Sequence, residues 1–314
     1  MFKFDYLTDA PIISADGYEE LGGNVNGPAL IRCPDWIDPA PARYLLYFAH
    51  HEGRSIRLAL ADRLEGPWRL QRPAPLRLEN SGFAIEPPLF ENLDPRAREF
   101  IENDQDGYYP HVASPDLWVD EERRQLRLYY HGRLDNGLQR TRVALSDNGL
   151  DFNAQPEILA LPYLRLFHKD EWFYALAMPA QLYRSRDGLR DFEPGPVLTD
   201  EPIRHHALLC LDAQWYLFWT RVGDTPERIL VSRLHTETDW RHWSIGEGVE
   251  VHRAERPWEG ADLPADASSY GGIMQRANQL RDPAIYQQDG RIYLLYACAG
   301  EQGIGIGELT PVEA

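Results

Sequence analysis

RDPAIYQQDGRIYLLYA, residues 281–297, opens with Asp-Pro, runs through a short apolar segment, turns at Asp289-Gly290 and returns as an aromatic, β-branched strand. Asp-Gly between two apolar runs is a strong hairpin signal, because both residues accept the backbone angles of a tight turn that matches strand twist. Degraded copies of the stretch recur four times upstream, and that recurrence decides the fold.

The first full unit begins near Asn26, where NGPALIRC, RYLLYFAHH, SIRLALA and GPWRL supply four strands. After a connection rich in proline and acid, HVASPDLWV, QLRLYYHG, RTRVALS and the segment around Asp151-Phe152 restart the pattern. YLRLFH, EWFYALAM, QLYRS and DFEPGPVL make a third unit; HALLCLD, QWYLFWTR, RILVSRL and HWSIGEG make a fourth. The fifth is the opening hairpin followed by GIGIGEL, and it lacks a fourth strand. The junctions ALADRLEGPW, ALSDNGLDF and YRSRDGLRDF are alike, each placing a turn before an aromatic residue. Four-stranded units repeated at roughly 45 to 80 residues mark a propeller with long insertions, since so small a sheet cannot bury both faces alone. The expected fold is an all-β, five-bladed β-propeller, with residues 1–314 as a single domain. FKFDYL, residues 2–7, is the unassigned strand that can complete the fifth blade and close the ring.

Composition narrows the partners. The 314 residues carry a formal net charge of −17, with 9 Trp, 16 Tyr, 24 Gly and 24 Pro, which suits many short strands joined by turns. So acidic a chain has no basic stripe for nucleic acid and is repelled by anionic membranes. Cys33, Cys210 and Cys298 lie far apart and read as reduced, buried thiols. No leader-like or membrane-spanning segment is evident, and the expected location is cytoplasmic.

With these units in place, the chain resembles the five-bladed β-propeller glycosidases, the superfamily that includes glycoside hydrolase families 43, 32, 117 and 130. The resemblance rests on RDPAIYQQDGRIYLLYA, on SPDLW followed by LRLYYHG, and on ALADRLEGPW. It implies an enzyme cleaving glycosidic bonds in short oligosaccharides or glycosides, with catalytic groups at innermost-strand starts and second-strand ends. Aligning the units puts Gly27, Ser114, Tyr163, His205 and Asp282 at equivalent starts. The family 43 enzymes place a catalytic base aspartate at the first of these, where this chain has Asn26-Gly27-Pro28. An amide cannot take a proton from water, so the two-carboxylate arrangement does not transfer whole. Among the aligned starts only Asp282 keeps the aspartate-proline form.

The expected catalytic set is Asp282, as base or as partner of a histidine, with Glu259 or His205 as the acid. Glu259 lies beside Trp258, and an aromatic wall raises a carboxyl pKa. Expected sugar contacts are Asn26, His51, His111, Asp116, Tyr163, His206, Arg281 and Trp258; pairing with Arg165 is the competing role for Asp116. His50 and His131 also fall at second-strand ends. The histidine set is compatible with a divalent metal, though no ligand is assigned and no other cofactor is expected. Arg281, Arg221 and Arg276 are candidates to hold a carboxylate, while Asp104, Asp106, Tyr108 and Tyr109 read as a solvated lid. Two other readings stand beside the hydrolase: a lyase on oligouronides using His or Tyr, and a non-catalytic sugar-binding propeller.

Overall fold

The computed structural model describes residues 1–103 and 107–312. Five antiparallel sheets are present among them, one for each unit of the repeat. Blade one runs outward through Asn26–Arg32, Tyr44–Ala49, Ser55–Ala61 and Arg69–Leu70; blade two through Val112–Asp120, Gln125–Arg133, Gln139–Ser146 and Asn153–Ala154. Blade three is Arg165–Lys169, Trp172–Ala177, Gln181–Ser185 and Glu193–Val197; blade four is Ile203–Leu211, Gln214–Arg221, Ile229–His235 and Ser244–Ile245. Blade five is Arg281–Gln288, Arg291–Cys298 and Gly303–Pro311, completed on its outer edge by Phe2–Tyr6. The innermost strands touch their neighbours around a closed circuit, which defines the axis.

Successive side chains of a strand point to opposite faces, and here both faces of each blade meet another blade. Leu45 and Tyr47 pack toward Leu126, Leu128 and Tyr130 of blade two. Leu46 and Phe48, in the alternate positions, pack toward Tyr293 and Leu295 of blade five. Blades two and three, three and four, and four and five are each joined by a further apolar cluster. Second strands such as YLLYFA therefore read as continuous apolar runs, as strands buried on both faces do.

The repeated junctions form repeated turns. Ser146 Oγ accepts from the Gly149 N–H at 2.9 Å and Asn148 Oδ1 from Leu150 N at 2.8 Å. Ser185 and Asp187 make the same bonds to Gly188 and Leu189. Each turn is held by a tyrosine from the preceding blade: Tyr47 donates to Gly149 O at 2.8 Å, and Tyr129 to Gly188 O at 2.7 Å.

The ring closes as the sequence predicts, with Phe2 paired to Pro311 and Tyr6 to Gly307. Glu259 fixes this closure. Its Oε2 accepts from Tyr6 Oη at 2.7 Å and from the N–H groups of Glu255 and Arg256, while Oε1 accepts from Tyr296 Oη at 2.6 Å and pairs with His252 Nε2 at 2.7 Å.

Candidate active site

Innermost strands begin at one end of the axis, and four of the five start in the left-handed region. The φ angle is 57° at Gly27, 50° at Ser114, 60° at Tyr163 and 48° at Asp282. Three of these carry side chains that rarely adopt such angles, and strain of this kind gathers at functional positions. Pairing register also slips at the starts of blades one, two, four and five, between Asn26 and Ala29, Ala113 and Asp116, Ile203 and His206, and Arg281 and Ala284. Such bulges re-aim side chains. A Cβ built on Gly27 would lie 3.1 Å from Ser114 Cα. A side chain at residue 27 would therefore meet a tight contact in a left-handed backbone conformation.

Asp282 and His205 form the central pair. The Asp282 N–H donates to His205 Nδ1 at 3.3 Å, and His205 Nε2 lies 3.2 Å from Asp282 Oδ1. With Nδ1 accepting, the imidazole proton belongs on Nε2, where it faces the carboxyl group. Burial pushes Asp282 up to about 7, reinforced by the nearby Glu301 and opposed by Arg165, Arg281 and the Gly27 N–H. Burial, with Arg204 and Arg281, holds His205 well below its ordinary value, so the ring is neutral. Asp282 thus changes protonation near neutral pH beside a neutral imidazole of fixed tautomer.

Around this pair lies a buried charge network. Arg281 donates to Glu301 Oε1 at 2.9 Å and to Gln279 Oε1 at 2.6 Å. Glu227 sits between Arg281 and Arg204, 3.4 Å from each. Glu301 Oε2 accepts from Asn24 at 2.8 Å and Asn26 at 3.0 Å, with His51 Nδ1 at 3.5 Å. Burial pushes Glu301 up, but His51, Arg281 and Asn24 outweigh it and hold the carboxyl well below its usual range. Arg204 and Arg281 both donate to Gly271 O, at 2.9 and 3.2 Å, tying the long loop before blade five over the mouth.

Aromatic rings complete the rim. His51, Tyr109, His111, His131, Tyr163 and His205 follow one another in edge or tilted contact, with centroids 6.5, 5.4, 5.5, 4.5 and 4.8 Å apart. Toward the centre, a cavity of about 320 Å³ runs along the axis between the innermost strands.

The structure therefore gathers Asp282, His205, Asn26, His51, His111, Tyr163 and Arg281 at one mouth. Other expected members lie elsewhere. Glu259 is buried in the ring closure, and there His252, Tyr296 and the Glu255 N–H overcome burial and hold its carboxyl below the usual range. That is the reverse of the raised acid expected beside Trp258. Trp258 itself packs edge-on to Tyr6 at 6.0 Å, within the cluster between blades four and five. His206 points into the neighbouring blade, where Nε2 bonds Leu176 O at 2.9 Å and burial lowers its pKa to about 3. His206 is the first residue paired again after the slip, to Trp219, and it follows His205 directly, so its side chain faces the other side of the strand.

Asp116 lines the axial cavity with Arg165 and accepts from Leu166 N at 2.9 Å, joining two innermost strands. His50 bonds its own turn through Glu52 N. Arg221 pairs with Glu201, and Arg276 with Asp262, away from the network. Asp104 and Asp106 lie outside the described residues. Among the described residues no group of three His, Cys, Asp or Glu side chains converges as a metal site, and no helix is long and apolar enough to cross a membrane.

Glu301, Glu227 and Gln279 were not singled out by the sequence. Glu301 lies in the turn after the second strand of blade five, past the positions equivalent to His50 and His51 in blade one, so aligning the strands did not single it out. Glu227 and Gln279 lie in connections whose course no repeat specifies.

The "Uncharacterized protein R118" of Acanthamoeba polyphaga mimivirus is 32% identical over 307 residues, covering 90% of this chain and 82% of the viral protein. The chain belongs to the family of that viral protein. No protein-family model matches it. Among solved structures, a GH43_1 enzyme from Xanthomonas citri complexed with xylose superposes with a TM-score of 0.59 at 11% identity, covering 96% of this chain and 90% of that one. RS223-Beta-xylosidase gives 0.59 at 13% identity, covering 97% and 99%. CoXyl43, a β-xylosidase/α-arabinofuranosidase from a compost microbial metagenome, solved with xylotriose, gives 0.57 at 11% identity, covering 99% and 96%. At these identities the likeness is one of fold: this chain shares the five-bladed propeller of the glycoside hydrolase family 43 enzymes.

Proposed function

We propose that the chain is a carbohydrate-active enzyme that cleaves glycosidic bonds in short oligosaccharides or glycosides at this mouth, with Asp282 as the proton-transfer group. The observation that carries the reading is Asp282 itself, strained, buried, shifted to about 7 and held against a neutral His205. Protonated, it donates to the leaving glycosidic oxygen; as a carboxylate, it takes the proton of the attacking water. His205 keeps the carboxyl oriented through Nε2–H, and Tyr163 and His51 offer ring faces to a sugar. The shared fold of the xylose- and xylotriose-bound enzymes supports a small carbohydrate as the ligand.

The test is release of reducing sugar from xylo-oligosaccharides and a panel of 4-nitrophenyl glycosides. Asp282→Asn is expected to lower the rate by about 10²- to 10⁴-fold with an unchanged circular-dichroism spectrum. Near-normal turnover by this variant would remove Asp282 from catalysis.

A lyase acting on oligouronides is the second reading. Tyr163 stands between His131 and His205, and the buried guanidinium groups of Arg165, Arg204 and Arg281 suit a substrate carboxylate. An unsaturated product absorbing in the ultraviolet, formed without net hydrolysis, would select it.

A further inference from the structure

Beside the mouth, between blades two and three, lies a second cavity of about 230 Å³. Phe100 from the helix Pro95–Glu102, Leu138, Leu161, Pro162, Met178 and Tyr270 form its apolar walls. Phe100 remains 48% exposed there. Two chain connections and one hydrogen bond tie the cavity to the mouth. Pro162 immediately precedes Tyr163, and Tyr270 precedes Gly271, whose carbonyl holds Arg204 and Arg281. Gln139, on the cavity edge, pairs with His111 Nε2 at 3.3 Å.

From this continuity we infer that the cavity is the leaving-group subsite of the enzyme and takes an aromatic aglycone. The inference rests on the reading of the mouth as a glycosidic-bond-cleaving site. Gln139 and Arg140 supply the polar edge of an otherwise apolar lining; free sugar units, ringed with hydroxyls, gain little from such walls, whereas a flat aromatic ring gains from burial there. An apolar cavity of about 150 Å³ suffices for benzene, so this one has room for a substituted phenyl ring. A sugar seated against Tyr163 and His51 would direct its glycosidic substituent along Pro162 and Gln139 into the space. The preferred substrates are then aryl glycosides, with unsubstituted oligosaccharides second.

Met178 supplies a direct reporter, because the chain has only three methionines. With [¹³C-methyl]methionine protein, and Met178→Leu to assign the resonance, 4-nitrophenol and 4-nitrophenyl β-D-xyloside are titrated against methyl β-D-xyloside. The Met178 signal is expected to move with both aryl probes and to stay with the methyl glycoside. Across a panel of sugars, 4-nitrophenyl glycosides are expected to exceed methyl glycosides in kcat/KM by about tenfold or more beyond their leaving-group advantage. Phe100→Ser, at a half-exposed position that tolerates a polar residue, should cut this preference several-fold. No movement of the Met178 signal with either aryl probe overturns the inference, as does an aryl preference that Phe100→Ser leaves intact. Turnover of oligosaccharides with no aryl preference rejects the subsite while keeping the enzyme reading. Aryl binding with no turnover of any glycoside rejects the enzyme reading, and with it the role of leaving-group subsite.

Discussion

An aspartate that titrates near 3.8 when unfolded and at about 7 in the folded mouth makes the native state hold a proton that the unfolded chain releases. The Asp282 contribution to stability is complete below pH 3.8 and is lost as pH rises through about 7, a swing of about 4 kcal/mol for three pKa units. Asp282→Asn mimics the protonated form. Its melting temperature should exceed that of the parent by several degrees at pH 8 and match it near pH 4, and a constant difference across pH would contradict this. Catalysis that needs the protonated carboxyl should likewise fall as pH passes 7, with a single ionisation visible in the kcat/KM profile. At Gly27, φ of 57° and the 3.1 Å approach to Ser114 predict that Gly27→Asp costs about 2 kcal/mol or more and does not install a working base. Melting curves and activity of that variant check both points. Sequence located Asp282 because the blade repeat aligned it, but Glu259 was misread for a physical reason. Its neighbour Trp258 suggested an apolar wall, while the groups that set its charge, Tyr6, His252 and Tyr296, lie 253, 7 and 37 positions away.

At the scale of elements, the hairpin at residues 281–297 folds as read, with its two strands paired from Gln288–Arg291 outward. The junctions ALSDNGLDF and YRSRDGLRDF were legible because a serine and an Asn or Asp can bond their own turn, a local property that a short sequence carries. What no local reading supplies is the tyrosine of the previous blade that caps each turn. Removing one hydroxyl with Tyr47→Phe or Tyr129→Phe should cost about 1 kcal/mol each, and the double variant should show the sum, since the two bonds sit at different blade interfaces. Chemical denaturation would measure this, and a strongly non-additive double variant would mean that the interfaces are coupled. ALADRLEGPW looks like the other junctions yet is held differently, by Trp68 Nε1 donating to Leu64 O at 3.1 Å, so likeness of sequence here is likeness of position and not of bonding.

Across the whole molecule, each blade lends one face to each neighbour, and stability is shared among five interfaces of which one is closed by the first strand. Deleting residues 1–7 exposes the edge of Gly303–Pro311 and removes Tyr6 from Glu259. It should lower the denaturation midpoint sharply and promote association through the open edge; light scattering together with a melting curve would reveal it, and an unaltered midpoint and scattering signal would refute it. The same closure sets an order of events during synthesis. Phe2–Tyr6 leaves the ribosome long before its partner strand exists, so it must wait unpaired while the four earlier blades assemble. Such distant pairing is slow, because the loop it closes is nearly the whole chain. Until Gly303–Pro311 has been made, the growing chain therefore carries an unpaired strand, and the interval before the ring fastens is the one in which holdase chaperones have their longest opportunity to act.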